Sequence, residues 1–294
     1  MKWLRGITLL LIANVLIFLT LSITFTLLVN IILPAFGIDV RGAVNQEDLV
    51  WAMVIGFGGA FLSLAFSKQM ARSMLDCNQI TQPRSQAEQV IFGAVQDIAQ
   101  RLRIQMPEVW VYESPDPNAF ATGPSKNKSM VAVSTGLLNN LDEQEVRAVL
   151  AHEMGHVYNG DMFTTTVLAG LMNTFVYFIS RWVYRNLAER NAALAFGVYI
   201  FLQLVLSFLA MIPISWFSRR REFAADAFSA KVYGREAMIS ALQSIDRWVK
   251  RAQIEYSTQD ALATMKISGK SSGFLHLFAT HPPIEERVAA LQKL

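Results

Sequence analysis

His152, Glu153, Met154, Gly155 and His156 are the residues of this chain best suited to carry out chemistry. They close the stretch 142–158, whose pattern predicts a helix. Two histidines four apart lie one above the other on a helix face, so both imidazoles can reach one metal ion. The glutamate beside the first histidine points at the metal's open side without binding it. Two nitrogen ligands with an adjacent general base is the arrangement of zinc hydrolases. Such hydrolases need a third protein ligand. The candidate is Glu222, in Arg221-Glu222-Phe223-Ala224-Ala225-Asp226. Asp226 is one turn further on the same face, where it can accept the outer N–H of a ligand histidine and fix its ring. Taken alone, Glu222 could equally pair with the arginines beside it, as exposed charges commonly do.

The elements that must bring these residues together are written in the hydropathy. Of the 294 residues, 53% are hydrophobic and only 17% charged, against about a quarter charged in ordinary soluble domains. The deficit is concentrated in four apolar blocks. The first, 7–33, follows Lys2 and Arg5 and is too long for a secretory signal core, so an uncleaved anchor is expected. The second, 49–67, holds Gly56, Gly58 and Gly59, which lack the spacing of a nucleotide loop and are expected to let another helix pack closely. The third, 163–180, has about the minimum spanning length, and the fourth, 192–217, is longer and contains Pro213.

The expected organisation is therefore an anchor span at 1–33, an outer loop at 34–48, a second span at 49–68 and a first catalytic part at 69–162. A membrane hairpin of two spans at 163–217 and a second catalytic part at 218–294 follow. With the N-terminus in the cytoplasm, Lys2, Arg5, Lys68, Arg72, Arg219, Arg220 and Arg221 lie inside and Arg41, Arg181, Arg185 and Arg190 outside. The inner excess favours that orientation, although three arginines in the turn of the hairpin run against the rule. An even number of crossings separates His156 from Glu222, so the hairpin returns the chain to the side it left. Two motifs 66 residues apart in sequence can then be neighbours in space.

The remaining features bound the reading. A net charge of +3 is largely a topology signal, and no basic-aromatic pattern suggests nucleic acid. Cys77 is the only cysteine, which excludes an intramolecular disulfide and a thiolate cluster; it is expected to pack as a small residue. Ser85 with Glu88, and Asp142 with Glu145, read as capping boxes, the second with Leu141 as a staple. Short strands are expected near 109–111 and 129–134, a stop at Asn159-Gly160-Asp161, and helices at 222–233, 235–250 and 285–291. A mobile loop is expected at 251–273 and a turn at 280–283. His276 has no motif around it and reads as structural.

Four motifs in order resemble the HtpX family of bacterial membrane zinc endopeptidases, which is related to the CAAX prenyl proteases. They are Asn-Ala-Phe-Ala-Thr-Gly at 118–123, His-Glu-Met-Gly-His at 152–156, Arg-Glu-Phe-Ala-Ala-Asp at 221–226 and His-Pro-Pro-Ile-Glu-Glu-Arg at 281–287. The resemblance covers nearly the whole chain. It implies a mainly α membrane protein with a small β-sheet, four candidate transmembrane helices and a zincin-like (gluzincin) catalytic domain. It implies one zinc ion per chain, held by His152, His156 and Glu222, with Glu153 as general base. His281 would stand at the substrate site and donate to the tetrahedral oxyanion. Arg287 would pair with an active-site carboxylate or touch substrate. Asn118, Ala119, Phe120 and Ala121 would form an edge strand to which an extended peptide adds. A turn histidine, a surface arginine and a surface loop are the plainer readings of these last three features. The implied function is hydrolysis of misfolded or damaged membrane proteins, with polypeptides and the lipid bilayer as partners and no nucleic acid. The implied location is the bacterial inner membrane, with the site on the cytoplasmic face. Oligomeric state is not implied.

Other classes fit less well. An intramembrane zinc protease keeps its metal helix inside an apolar span, whereas this one opens with Asp142, Glu143, Glu145 and Arg147. A multi-span scaffold or transporter predicts charges within the spans, which the four blocks lack. Iron oxygenases also use two histidines and a carboxylate, but not a glutamate between the histidines.

Overall fold

The computed structural model describes residues 31, 33–35, 46–259 and 279–294. The expected anchor, most of the outer loop, the stretch 260–273 and His276 lie outside the described residues. After a short helical turn at Leu33–Ala35 the elements are α1 (Gln46–Leu75), β1 (Asn78–Gln79), α2 (Gln86–Leu102), β2 (Glu108–Tyr112), β3 (Ala119–Thr122) and β4 (Met130–Ser134). They continue with α3 (Thr135–Asn140), α4 (Glu143–Asn159), α5 (Asp161–Ala188), α6 (Ala192–Tyr233), α7 (Arg235–Gln259) and α8 (Ile284–Leu291). Among the described residues three helices, α1, α5 and α6, are long and apolar enough to cross a membrane, rather than the four expected along the whole chain. The protein is mainly α with one small sheet, and it divides into two compact units, 1–61 with 167–210 and 62–166 with 211–294.

In the first unit α1 and α5 meet through glycine on both sides. A Cβ on Gly56 would come within 2.6 Å of the Thr174 backbone nitrogen, and one on Gly170 within 2.5 Å of the Phe57 ring. Missing side chains thus set how near the two backbones come, as expected for helices in lipid. Among the described residues Gly58 and Gly59 have nothing within 4 Å, so of the three α1 glycines Gly56 is the one that serves this contact. Near the start of α1, Asp48 is buried and pairs with Arg181 at 3.6 Å and Arg185 at 2.5 Å.

The second unit is built on a four-stranded sheet of order β1-β2-β4-β3, with β2 and β4 parallel and the outer pairs antiparallel. Side chains alternate along each strand. Val109, Val111, Val131, Val133, Ala119 and Ala121 face the cluster formed with α2 and α4. Trp110, Tyr112, Met130, Ala132 and Phe120 face the other way, against Ala71 at the end of α1 and Cys77. Cys77 thus packs as a small residue, as expected. The end of α1 is tied to the sheet by Glu108, which takes Lys68 at 2.5 Å and also pairs with Arg72.

Several boundaries differ from the sequence reading, each for a local reason. The expected second span at 49–68 is part of a longer helix, because polar residues from Lys68 to Arg72 continue α1 onto the sheet. Neither glycine nor proline interrupts 217–222, so the expected fourth span and the helix 222–233 are one continuous α6, with Pro213 inside it. The segment 251–259 is helical as the end of α7, not loop. Ser85 caps α2, but Glu88 returns to the Arg84 N–H rather than that of Ser85, so that box is displaced by one residue. Strand β1 and helix α3 are too short to have left a periodic signal.

Placing a methyl group at the α1–α5 crossing should be costly because it meets the Thr174 backbone nitrogen and the Gly170 carbonyl as well as the Thr174 hydroxyl, so moving one side chain cannot make room. Gly56→Ala is expected to lower stability by about 1–3 kcal/mol, measured as an earlier thermal transition in detergent. Gly59→Ala, which faces open space, should leave the transition where it is; equal shifts for both would reject the crossing.

Candidate metal centre

Helix α4 starts on a complete capping box: Asp142 accepts from the Glu145 N–H, and Glu145 accepts from the Asp142 N–H. Leu141 and Val146 lie in the same apolar cluster, consistent with the staple. The buried carboxylate of Glu145 also accepts from Ser240 and Ser244 of α7, each at 2.6 Å. One face of α4 is thereby fixed to the core through Val149, Leu150 and Met154. At its end Gly160 takes the left-handed conformation (φ 72°) and closes the helix onto the His156 and Val157 carbonyls, as the sequence predicts. The chain turns there and begins α5 at Asp161.

Helix α6 crosses α4 closely. A Cβ on Gly155 would lie 3.3 Å from Ala225 Cα, and Ser229 Oγ donates to the Ala148 carbonyl at 2.6 Å. Glu222, Ala225, Asp226 and Ser229 fall on one face of α6 at helical spacing. Two small residues at the crossing bring that face near enough for Glu222 to reach the histidines.

The result is a compact triangle. His152 Nε2 and His156 Nε2 are 3.2 Å apart, His156 Nε2 is 3.2 Å from Glu222 Oε1, and His152 Nε2 is 3.5 Å from Glu222 Oε2. These atoms form a group able to hold a metal ion. Ligand atoms about 2.0–2.1 Å from a tetrahedral zinc ion stand roughly 3.3 Å from one another. The donor set fits zinc in type and in spacing. Glu222 Oε2 is buried and accepts no well-aligned hydrogen bond, although His281 Nδ1 stands at 2.8 Å.

The outer nitrogens are equally constrained. His152 Nδ1 is 2.8 Å from Asp226 Oδ1, and His156 Nδ1 is 2.7 Å from Asp161 Oδ2. Each outer N–H donated to a carboxylate leaves the Nε2 lone pair facing inward. Asp226 is in turn gripped by Arg287 through two hydrogen bonds, of 2.8 and 2.6 Å. Asp161 is gripped by Arg221. Asp226 thus lies behind the His152 ring, and Arg287 pairs with Asp226. Asp161 was legible only as part of a helix stop. The one signal that could have marked it is a carboxylate just past a glycine turn after the second histidine.

His281 comes to the same centre from the far end of the chain. Its side chain is 66% exposed. Arg219 of α6 donates to the Ala279 carbonyl at 2.7 Å, holding the segment that carries His281. The expected 118–121 segment forms β3 from Ala119, with Asn118 just before it, exchanging backbone and side-chain hydrogen bonds with Ser134. Among the described residues β3 is an edge of the sheet, with β4 on one side and no strand on the other.

Charge follows the geometry. Burial alone would lower the pKa of His156, but hydrogen bonds to Asp161 and Glu222 outweigh it and push the ring up to about 10. His152 is raised against burial by Asp226 and Glu222. Burial opposes ionisation of Glu222, yet the facing imidazoles of His152, His156 and His281 hold its carboxyl well below the usual range. Glu153 is raised by burial, opposed by His152 and His156 and reinforced by Glu222. A buried carboxylate with a raised pKa is the better proton acceptor.

The chain is similar to known proteins. Residues 85–294 match the model of peptidase family M48. The chain is 44% identical over 286 residues to Protease HtpX of Pasteurella multocida, covering 96% of this chain and 98% of that protein. It is 42% identical over 295 residues to Protease HtpX of Idiomarina loihiensis, covering 98% and 99%. Its fold is similar to the crystal structure of S. mikatae Ste24p, with a TM-score of 0.62 at 19% identity, covering 95% of this chain and 67% of that one. The paired histidines, the carboxylate from a second helix and the long apolar helices thus occur in a chain that belongs to peptidase family M48.

Proposed function

We propose that this multi-pass membrane protein is a zinc endopeptidase whose ion is held by His152, His156 and Glu222, with Glu153 as general base. Its site would face the cytoplasm at the bacterial inner membrane, and its substrates would be misfolded or damaged membrane proteins. The observation that carries the reading is the triangle of inward lone pairs, 3.2, 3.2 and 3.5 Å on its edges, with both outer ring nitrogens tied to carboxylates. When bound, zinc supplies Lewis acidity to water and to the substrate carbonyl. Glu153 takes the proton of the attacking water and passes it to the leaving amide nitrogen. His281, whose Nδ1 faces Glu222, has Nε2 to offer the oxyanion of the tetrahedral intermediate. Asp226 and Arg287 act together to hold the His152 ring.

The substrate would add as a strand to the free edge of β3, at Asn118, Ala119, Phe120 and Ala121. Main-chain pairing of that kind reads little of the side chains, which suits the varied exposed segments of damaged proteins. The cytoplasmic orientation rests on the basic residues at the span ends. Arg181 and Arg185, two of those counted on the outer side, are paired with Asp48. Relatives named Protease HtpX support the peptidase activity.

Purified full-length protein with zinc should cleave casein, and Glu153→Gln should abolish cleavage while keeping bound zinc. Cleavage at the wild-type rate by that variant would remove Glu153 as the base. Glu222→Ala should lower zinc stoichiometry sharply, and unchanged zinc content would reject it as a ligand.

A pH dependence follows for the metal-free protein. A ring raised in the folded state favours folding while protonated. That contribution is fully present below the ordinary imidazole pKa of 6.5 and is lost as pH rises through about 10. Thermal melts in chelator should therefore fall across this window, and zinc should suppress the fall. A melting temperature that rises with pH in chelator would contradict the pairing of His156 with Asp161 and Glu222.

A further inference from the structure

His156 is held from outside by a carboxylate that opens the next helix. Asp161 is the first residue of α5, and its side chain is only 8% exposed. Its two oxygens serve different partners: Oδ2 accepts from His156 Nδ1 at 2.7 Å, and Oδ1 pairs with Arg221. Arg221 immediately precedes Glu222 on α6. Neighbouring residues on a helix point about 100° apart, so α6 can aim Glu222 at the centre and Arg221 at the base of α5 from adjacent positions. The contact therefore joins the start of one apolar helix to another just past its apolar part, and does so through the atom that orients a ligand ring. On the other histidine, Arg287 and Asp226 form the matching chain.

We infer that Asp161 and Arg221 are positioning residues that make metal retention by His156 conditional on the bases of α5 and α6 being held together. The inference rests on the metal reading above and adds two residues to it. If the bases part, His156 loses the acceptor that fixes its tautomer and ring angle. Its Nε2 is then free to turn away from Glu222. A pair that merely ties two helices would leave metal affinity unchanged. Long-range electrostatics makes the opposite demand at Arg221: deleting a cation close to a bound dication strengthens binding, whereas deleting a positioning group weakens it. Arg221 is therefore the discriminating position, because for Asp161 both effects have the same sign.

The test is zinc affinity of the full-length protein in detergent, measured by competition with a chromophoric chelator, with no activity needed. Asp161→Asn should weaken zinc binding roughly 10- to 100-fold, the range seen when the outer partner of a ligand histidine is lost. Arg221→Ala should weaken it too, and Arg221→Lys, which keeps a donor and a charge, should restore most of the loss. The double variant Asp161→Asn with Arg221→Ala should be no worse than Asp161→Asn alone, since the two act in series. Arg220→Ala is the control for charge, because Arg220 lies over the Trp216 ring, 4.4 Å from its centroid; its zinc affinity should be unchanged or slightly higher. Wild-type affinity in Asp161→Asn, or wild-type or tighter binding in Arg221→Ala, overturns the inference. Equal zinc content in wild type and Glu222→Ala would instead sink the metal reading itself.

Discussion

Three electron-pair donors directed at one point are unstable neighbours unless a cation lies between them. Two imidazole nitrogens 3.2 Å apart and a carboxylate within 3.5 Å of both are such a set. Any two would find a proton to share, but all three cannot be satisfied by one proton, and burial removes the water that might help. Much of the second unit can be read as the means of holding that arrangement. The capping box and Glu145 fix where α4 starts, Gly155 and Ala225 set how near α6 comes, and carboxylates behind the rings decide which nitrogen faces inward. Each removes a freedom that would let a ligand drift out of reach.

The three residues able to hold a metal ride on helices, not on loops, and this has mechanical consequences. His152 and His156 belong to α4, whose chain turns at Gly160 directly into the apolar helix α5. Glu222 belongs to α6, which runs without interruption from its apolar part through the ligand turn to Tyr233. A site on rigid elements keeps its geometry more closely than one on loops. His281 contrasts with this: it is largely exposed and follows a segment anchored by the Arg219 contact to Ala279. Groups that must stay still are buried and helical, and the group assigned to meet a varying substrate is not.

The sequence was most informative where chemistry imposes spacing. Histidines four apart, a glutamate beside the first, and a second helix with carboxylates four apart have few other reasons to occur together, and all of them met in space. The membrane helices were legible from their apolar blocks, but their ends were not. A helix continues until something stops it, and neither Lys68–Arg72 nor Arg219–Arg221 is a stop. Polarity marks where a membrane ends, not where a helix does. Asp161 stayed hidden for a different reason. Its partner is fixed by the turn at Gly160, and a turn angle is not a periodicity. Of the three α1 glycines, only Gly56 lies against another helix, because a run of small residues indicates that a close approach is possible without indicating which face makes it.

Charge at the centre argues for the same occupant as the distances do. Glu153, Glu222, Asp161 and Asp226 bring four carboxylates together, and Arg221 and Arg287 bring two guanidiniums. The cluster is therefore short of two positive charges. Without a metal the deficit falls to protons, and His152, His156 and Glu153 are all pushed toward protonation. Two protonated rings, however, would set N–H against N–H across 3.2 Å, so protonating both histidines neutralises the cluster only by straining it. A single dication closes the same deficit with both rings neutral and every inward lone pair used. Distance, tautomer and charge are separate constraints, and one small metal dication would meet all three at once.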